Sequence, residues 1–105
     1  MKQVKIIEMV MWEPIDSISK EDAKKSITKL NKFVSEQPGF IARKTALSED
    51  GKFLDIVYWA NLKSAKAASE KAMKTEELIP IFGMIDQKGM VFNHFEIYNT
   101  IENEF

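Results

Sequence analysis

The chain has 105 residues, 45% of them hydrophobic and 30% charged, with a net charge of −1 from 15 basic and 16 acidic side chains. That length suits one domain, and a chain of this size buries roughly 65% of the surface it would expose when unfolded, enough for one core without staples. The absence of cysteine excludes disulfides, zinc–thiolate sites, iron–sulfur clusters and thiol nucleophiles, and the balanced charge leaves no basic excess for a phosphate backbone.

The elements follow in chain order. Val4–Trp12 is almost entirely apolar and is bounded by Glu13-Pro14. Read as a strand, it puts Val4, Ile6, Glu8, Val10 and Trp12 on one face and Lys5, Ile7, Met9 and Met11 on the other. Both faces are largely greasy. A strand with one wet face alternates apolar and polar residues, so this one is expected to be central. Its most apolar run, Met9–Trp12, is far too short for a signal-peptide core or a membrane span. With no cysteine, the expectation is a cytoplasmic protein without a membrane partner.

Ser19–Glu36 reads as a helix. Ser19 can cap it, with Asp22 three residues on, and Ala23, Ile27, Leu30 and Val34 share a face with Phe33 beside them. Gln37-Pro38-Gly39 ends it, because proline lacks the amide and restricts its predecessor. Phe40–Leu47 and Lys52–Ala60 read as strands joined through Ser48-Glu49-Asp50-Gly51, since Asp-Gly between apolar runs marks a hairpin. The first carries Arg43, Lys44 and Thr45 and reads as a solvated edge. The second, with Phe53, Leu54, Ile56, Val57, Tyr58 and Trp59, reads as central.

Leu62–Met73 is a second helix, capped by Asn61, with Leu62, Ala65, Ala68 and Ala72 on one face. Glu77–Phe82 is a short extra turn interrupted by Pro80. Met90–Tyr98 is the last strand, and Ile101–Phe105 a short tail. The order βαββαβ is that of an α+β, ferredoxin-like domain, with both helices on one face of a four-stranded antiparallel sheet. The other face, apolar along two central strands, would be a large exposed patch. Soluble monomers avoid such patches, and a two-fold homodimer through the sheet would bury this one. The alternative cover is the C-terminal tail or the Glu77–Phe82 segment.

Three stretches carry a resemblance: Gln37-Pro38-Gly39-Phe40; Asp50-Gly51 followed by Asp55-Ile56-Val57-Tyr58-Trp59 and the Ala-rich helix from Leu62; and His94 on the closing strand after the Pro80–Phe82 turn. In this order and spacing, over nearly the whole chain, the sequence resembles the dimeric α/β-barrel proteins, in particular the antibiotic-biosynthesis-monooxygenase-like domains. The resemblance implies a single such domain over residues 1–105. Its members include cofactor-independent oxygenases of quinols and polyketides, heme-degrading enzymes and many proteins of unknown role, so fold does not fix function. Their pockets tend to lie between sheet and helices. Trp59 matches the pocket tryptophan of the heme-degrading members. The helix stretch Ala67-Ala68-Ser69-Glu70-Lys71 lacks their histidine, and Glu8 stands near the place of their first-strand asparagine. Heme degradation is therefore disfavoured.

What the resemblance implies is a cofactor-free monooxygenase-like activity on a small aromatic, quinol or polyketide-type molecule. The alternative is a non-catalytic small-molecule-binding or structural homodimer. His94, the only histidine, is the candidate catalytic residue. It reads as a general base or donor toward a phenolic or enolic substrate, or as a half-buried histidine bonded within the sheet. Trp59, Trp12, Phe82, Phe92 and Tyr98 are candidate ligand-binding residues, and each reads equally as core. Asp55 and Glu8 are acids in central strands, unfavourable there unless paired, and Arg43 or Lys44 are the plain partners. There is no GxGxxG, P-loop or HExxH, and one histidine cannot build a multi-histidine metal site, so no metal or cofactor is expected.

Overall fold

The computed structural model describes residues 3–103. The last two residues of the expected tail, at 104 and 105, lie outside the described part. Four strands form one antiparallel sheet: β1 (Ile6–Trp12), β2 (Phe40–Leu47), β3 (Phe53–Trp59) and β4 (Val91–Glu96). Their spatial order is β2-β3-β1-β4, so the two strands that are apolar on both faces are the central pair. The register sets Ile6 opposite Trp59, Glu8 opposite Val57 and Trp12 opposite Phe53, and on the other side Glu8 opposite His94.

The helices cover the face that carries Ile6, Glu8, Val10 and Trp12. The expected first helix is two: α1 (Lys20–Thr28) and α2 (Leu30–Ser35). The break has local and distant causes. Thr28 Oγ1 donates back to the Lys24 carbonyl at 2.7 Å, a bond that competes with the helix ladder. Arg43, reaching over from β2, donates from Nη1 to the Ile27 carbonyl at 3.2 Å. A side chain inserted into the ladder bends or breaks a helix. Caps fall where the sequence sets them: Ser19 Oγ accepts from the Asp22 amide, and Asn61 Oδ1 accepts from the Ser64 amide at the start of α3 (Leu62–Met73). Pro80 does not interrupt its segment. A 3₁₀ turn at Glu76–Leu78 runs into α4 (Ile79–Gly83), and Pro80 sits in the first turn of α4, where its missing N–H is harmless.

The core is in two clusters on the helix face. In one, Trp12 stacks on Phe53 at 4.5 Å and packs with Ala23, Ile27, Leu30 and Ile81. In the other, Ile6, Val57 and Trp59 meet Ala65 and Ala68 of α3. Small alanines let α3 lie close on the strands. Leu78 and Ile81 are buried in the first cluster, so the Glu77–Phe82 segment covers the helix side and not the opposite face. Tyr98 and Ile101 are 99% and 91% exposed, so the described tail does not cover that face either.

Gly39 marks a close approach. Its φ is +82°, and a Cβ there would lie 2.5 Å from Ser64 Oγ at the start of α3. Gly39→Ala is expected to destabilise the fold by about 1–3 kcal/mol through left-handed strain alone, with the Ser64 clash added. Chemical denaturation against Gly51→Ala, whose Cβ would meet only the flexible end of Lys20, separates clash from strain.

Candidate functional site

A cavity of about 320 Å³ lies between sheet and helices, and members of both core clusters line it, Trp12 and Leu30 from one and Val57 and Trp59 from the other. It forms where the clusters fail to close on each other. Strand alternation supplies its floor from β1 and β3, and Phe33 of α2, Met73 of α3 and Phe82 of α4 supply walls. Of the lining residues, Met73, Gln87 and Phe92 are exposed and so mark its mouth. The volume is at the small end of the range for small-molecule sites.

The polar groups in this wall are few. Arg43 and Asp55 line it but are committed to each other: Nη2 donates to Oδ2 at 2.6 Å and Nε to Oδ1 at 3.0 Å. Arg43 Nη1 also donates to Asn31 Oδ1 at 2.7 Å. Arg43 is thus buried on the helix side and not displayed on a wet edge; Lys44 and Thr45 are exposed. Trp59 is 1% exposed, and its indole N–H has no partner among the described residues. A buried donor left unmade costs about 1–3 kcal/mol.

Glu8 is the remaining charged group of the wall. Its side chain is 13% exposed. His94 Nε2 lies 3.0 Å from Glu8 Oε1, and Ser69 Oγ donates to the same oxygen at 3.4 Å. Among the described residues Oε2 accepts no hydrogen bond, so it is free for a ligand. Burial pushes the Glu8 carboxyl above the usual carboxylate range. His94 pulls it back through its hydrogen bond and charge, the nearby Asp55 charge raises it further, and Ser69 lowers it. Desolvation penalises the charged form and a cation favours it; burial wins here.

The sequence-predicted residues divide. Trp12, Trp59, Phe82 and Phe92 converge on the cavity. Tyr98 does not: β4 ends at Glu96, and Tyr98 lies beyond the ladder in solvent. His94 shares the face but is one step off the cavity wall, with its ring edge-on to Phe92 at 5.2 Å. It meets the cavity through two of its lining residues, Glu8 and Phe92. Sequence reasoning passed over Phe33 and Ser69. Phe33 sits beside the apolar face of its helix, a readable signal; Ser69 had none. Among the described residues no group of three or more metal-ligating side chains occurs, and no helix is long and apolar enough to cross a membrane.

No family model matches the chain, and no curated protein matches it. Solved structures do. A variant of SnoaB, a cofactor-independent oxygenase from Streptomyces nogalater, superposes with a TM-score of 0.74 at 11% identity, over 96% of this chain and 100% of that one. The monooxygenase of the gene ActVA-Orf6 of Streptomyces coelicolor, in complex with nanaomycin D, gives 0.71 at 14% identity over 96% and 94%. A dimeric ferredoxin-like protein from an uncultured marine organism gives 0.72 at 8% identity over 97% and 95%. The chain has their fold. Identities this low carry the ferredoxin-like architecture of the antibiotic-biosynthesis monooxygenases and nothing of their chemistry.

Proposed function

We propose that the cavity takes a small, flat, hydrophobic or aromatic molecule with an ionisable hydroxyl, and that the chain is a cofactor-independent monooxygenase of such a molecule. The observation that carries this is Glu8: a carboxyl raised by burial, with one oxygen held by His94 and Ser69 and the other free, in a mostly apolar wall whose other charged side chains, Arg43 and Asp55, are paired with each other. A base with a raised pKa is matched to removing a phenolic proton. The resulting anion is electron-rich enough to reduce O₂ itself. For an activated methylene the balance is R₂CH₂ + O₂ → R₂C=O + H₂O, so the substrate supplies all the electrons. The chain's residues bind and orient the ring, remove the proton and exclude water. Two neighbours in fold are described as a cofactor-independent oxygenase and a monooxygenase, which supports the same reading.

The test is an oxygen-uptake panel of quinols and hydroxyanthrones, run beside quenching of tryptophan fluorescence as the measure of binding. Uptake with one carbonyl formed per O₂ is the expected result. Quenching without uptake would favour the non-catalytic binding protein. Neither signal would overturn the assignment of the cavity.

The active form in this reading is a homodimer. The face without helices carries Ile7, Met9, Met11, Leu54, Ile56 and Tyr58, extended on β4 by Val91 and Phe95, which are 37% and 47% exposed. One neighbour in fold is described as dimeric. Met9→Lys puts a charge at the middle of this face, opposite Ile56. Sedimentation equilibrium at micromolar concentration is expected to give twice the chain mass for the native protein and the single chain mass for the variant.

A further inference from the structure

The Glu8–His94 pair joins two depressions that share no lining residue. Glu8 lines the apolar cavity; His94 lines a second one, of about 390 Å³, with Lys5, Ile6, Asn61, Leu62, Phe95 and Glu96. Apart from the buried Ile6 these companions are exposed, so the second depression is open to water, whereas the cavity is walled mainly by buried and half-buried apolar groups. Only 3.0 Å separates Glu8 Oε1 from His94 Nε2. His94 is 17% exposed, its ring edge packed on Phe92. The charged groups around it are Glu8 on β1, Lys5 just before β1 and Glu96 on its own strand.

We propose that His94 is a proton exit: it carries the proton that Glu8 takes from the bound molecule out to water in the second depression, without touching the ligand. This rests on the reading of the cavity given above. The ligand hydroxyl breaks its O–H bond and Glu8 Oε2 forms one. Rotation of the carboxyl about Cγ–Cδ turns that proton toward Nε2. Once Glu8 is protonated, imidazole that has exchanged through water to its Nδ1–H tautomer accepts that proton at Nε2, loses its Nδ1 proton to water, and so returns as the Nε2–H form that donates to ionised Glu8. Glu8 is left ionised and ready for the next molecule, and the net change is one proton moved from ligand to solvent. His94 is therefore a positioning and relay residue, and Glu8 the group that meets the ligand.

Two variants separate relay from support. His94→Gln keeps a hydrogen bond to Glu8 but has no titratable nitrogen; His94→Ala leaves a gap open to added imidazole. With a substrate from the oxygen-uptake panel, both are expected to lower kcat by about tenfold or more, within the range of general acid–base effects, with KM changed less than twofold. Millimolar imidazole should restore the Ala variant. A readout free of turnover is binding of 4-nitrophenol, whose anion is yellow, followed by stopped flow with an external pH indicator. Native protein and the Gln variant should bind it equally, with proton release about tenfold slower in the variant. Release and kcat at the native rate in His94→Gln would overturn the relay and leave the cavity reading standing. Failure of native protein to bind 4-nitrophenol or any panel member would overturn the cavity reading and the relay with it.

Discussion

Replacing Glu8 by Gln is expected to lower kcat on a hydroxylated aromatic substrate by about 10²–10⁴-fold, the usual contribution of a positioned base, with KM little changed. Glutamine has nearly the same shape and can still accept from Ser69 through its carbonyl oxygen, so packing and binding survive while the base is lost. The pH profile gives an independent check. Glu8 must be ionised to act, and burial holds its carboxyl above the ordinary carboxylate range. Native activity should therefore fall on the acid side at a higher pH than an exposed glutamate would give, and the variant's residual activity should lack that limb. Stability moves the opposite way. A carboxyl raised in the folded state contributes stability that is fully present at low pH and is lost as pH rises through its folded pKa. The Gln variant has no such loss. Its melting temperature relative to native protein should rise from acid to neutral pH, measurable by calorimetry at a series of pH values. An activity profile unchanged by Glu8→Gln would remove Glu8 from the chemistry.

The legible parts of this chain are those set by neighbours in sequence. Apolar residues on both faces of Val4–Trp12 and Lys52–Ala60 place those strands centrally, and the observed order β2-β3-β1-β4 follows. Ser19 and Asn61 cap the helices they precede, and Gly51 at φ +90° turns the hairpin. The illegible parts are set across the fold. Nothing near Thr28 indicates that Arg43 will reach over and take the Ile27 carbonyl, so one helix is expected where two form. Arg43 is among the partners the sequence offers Asp55, and the two do pair; that the pair lies buried on the helix side, where Arg43 reads as an edge-strand charge, is not legible. The site divides in the same way. Alternation fixes the face of Trp12, Trp59, Phe92 and His94, and all four lie on it. It cannot fix where along that face the helices leave a gap. That gap ends at Glu8 and Phe92, so His94 falls just outside it, and Tyr98 falls outside the strand altogether.

The largest expected loss of stability is at Asp55, because of what its removal leaves behind. Arg43 and Asp55 side chains are 4% and 11% exposed, joined by two hydrogen bonds. A buried ion pair adds little net stability over an apolar pair of the same size, but breaking one strands a charge and costs about 3–5 kcal/mol. Asp55→Ala should therefore remove a large share of the ~5–15 kcal/mol available to a domain. At about 4–8 °C per kcal/mol for this size, the melting temperature falls by roughly 12–40 °C. The double variant Arg43→Met, Asp55→Leu removes both charges and should lose far less than Asp55→Ala. It also frees the Ile27 carbonyl, so α1 and α2 should join more closely and helical content rise slightly in circular dichroism. A double variant as unstable as the single one would mean that Arg43 matters for its bonds to Ile27 and Asn31, not for its charge. The substitution reaches the cavity as well. The Asp55 charge helps to raise the Glu8 carboxyl, so in the double variant the acid limb of activity should shift to lower pH. One buried pair thereby holds the sheet to the broken helix and tunes the base beside it.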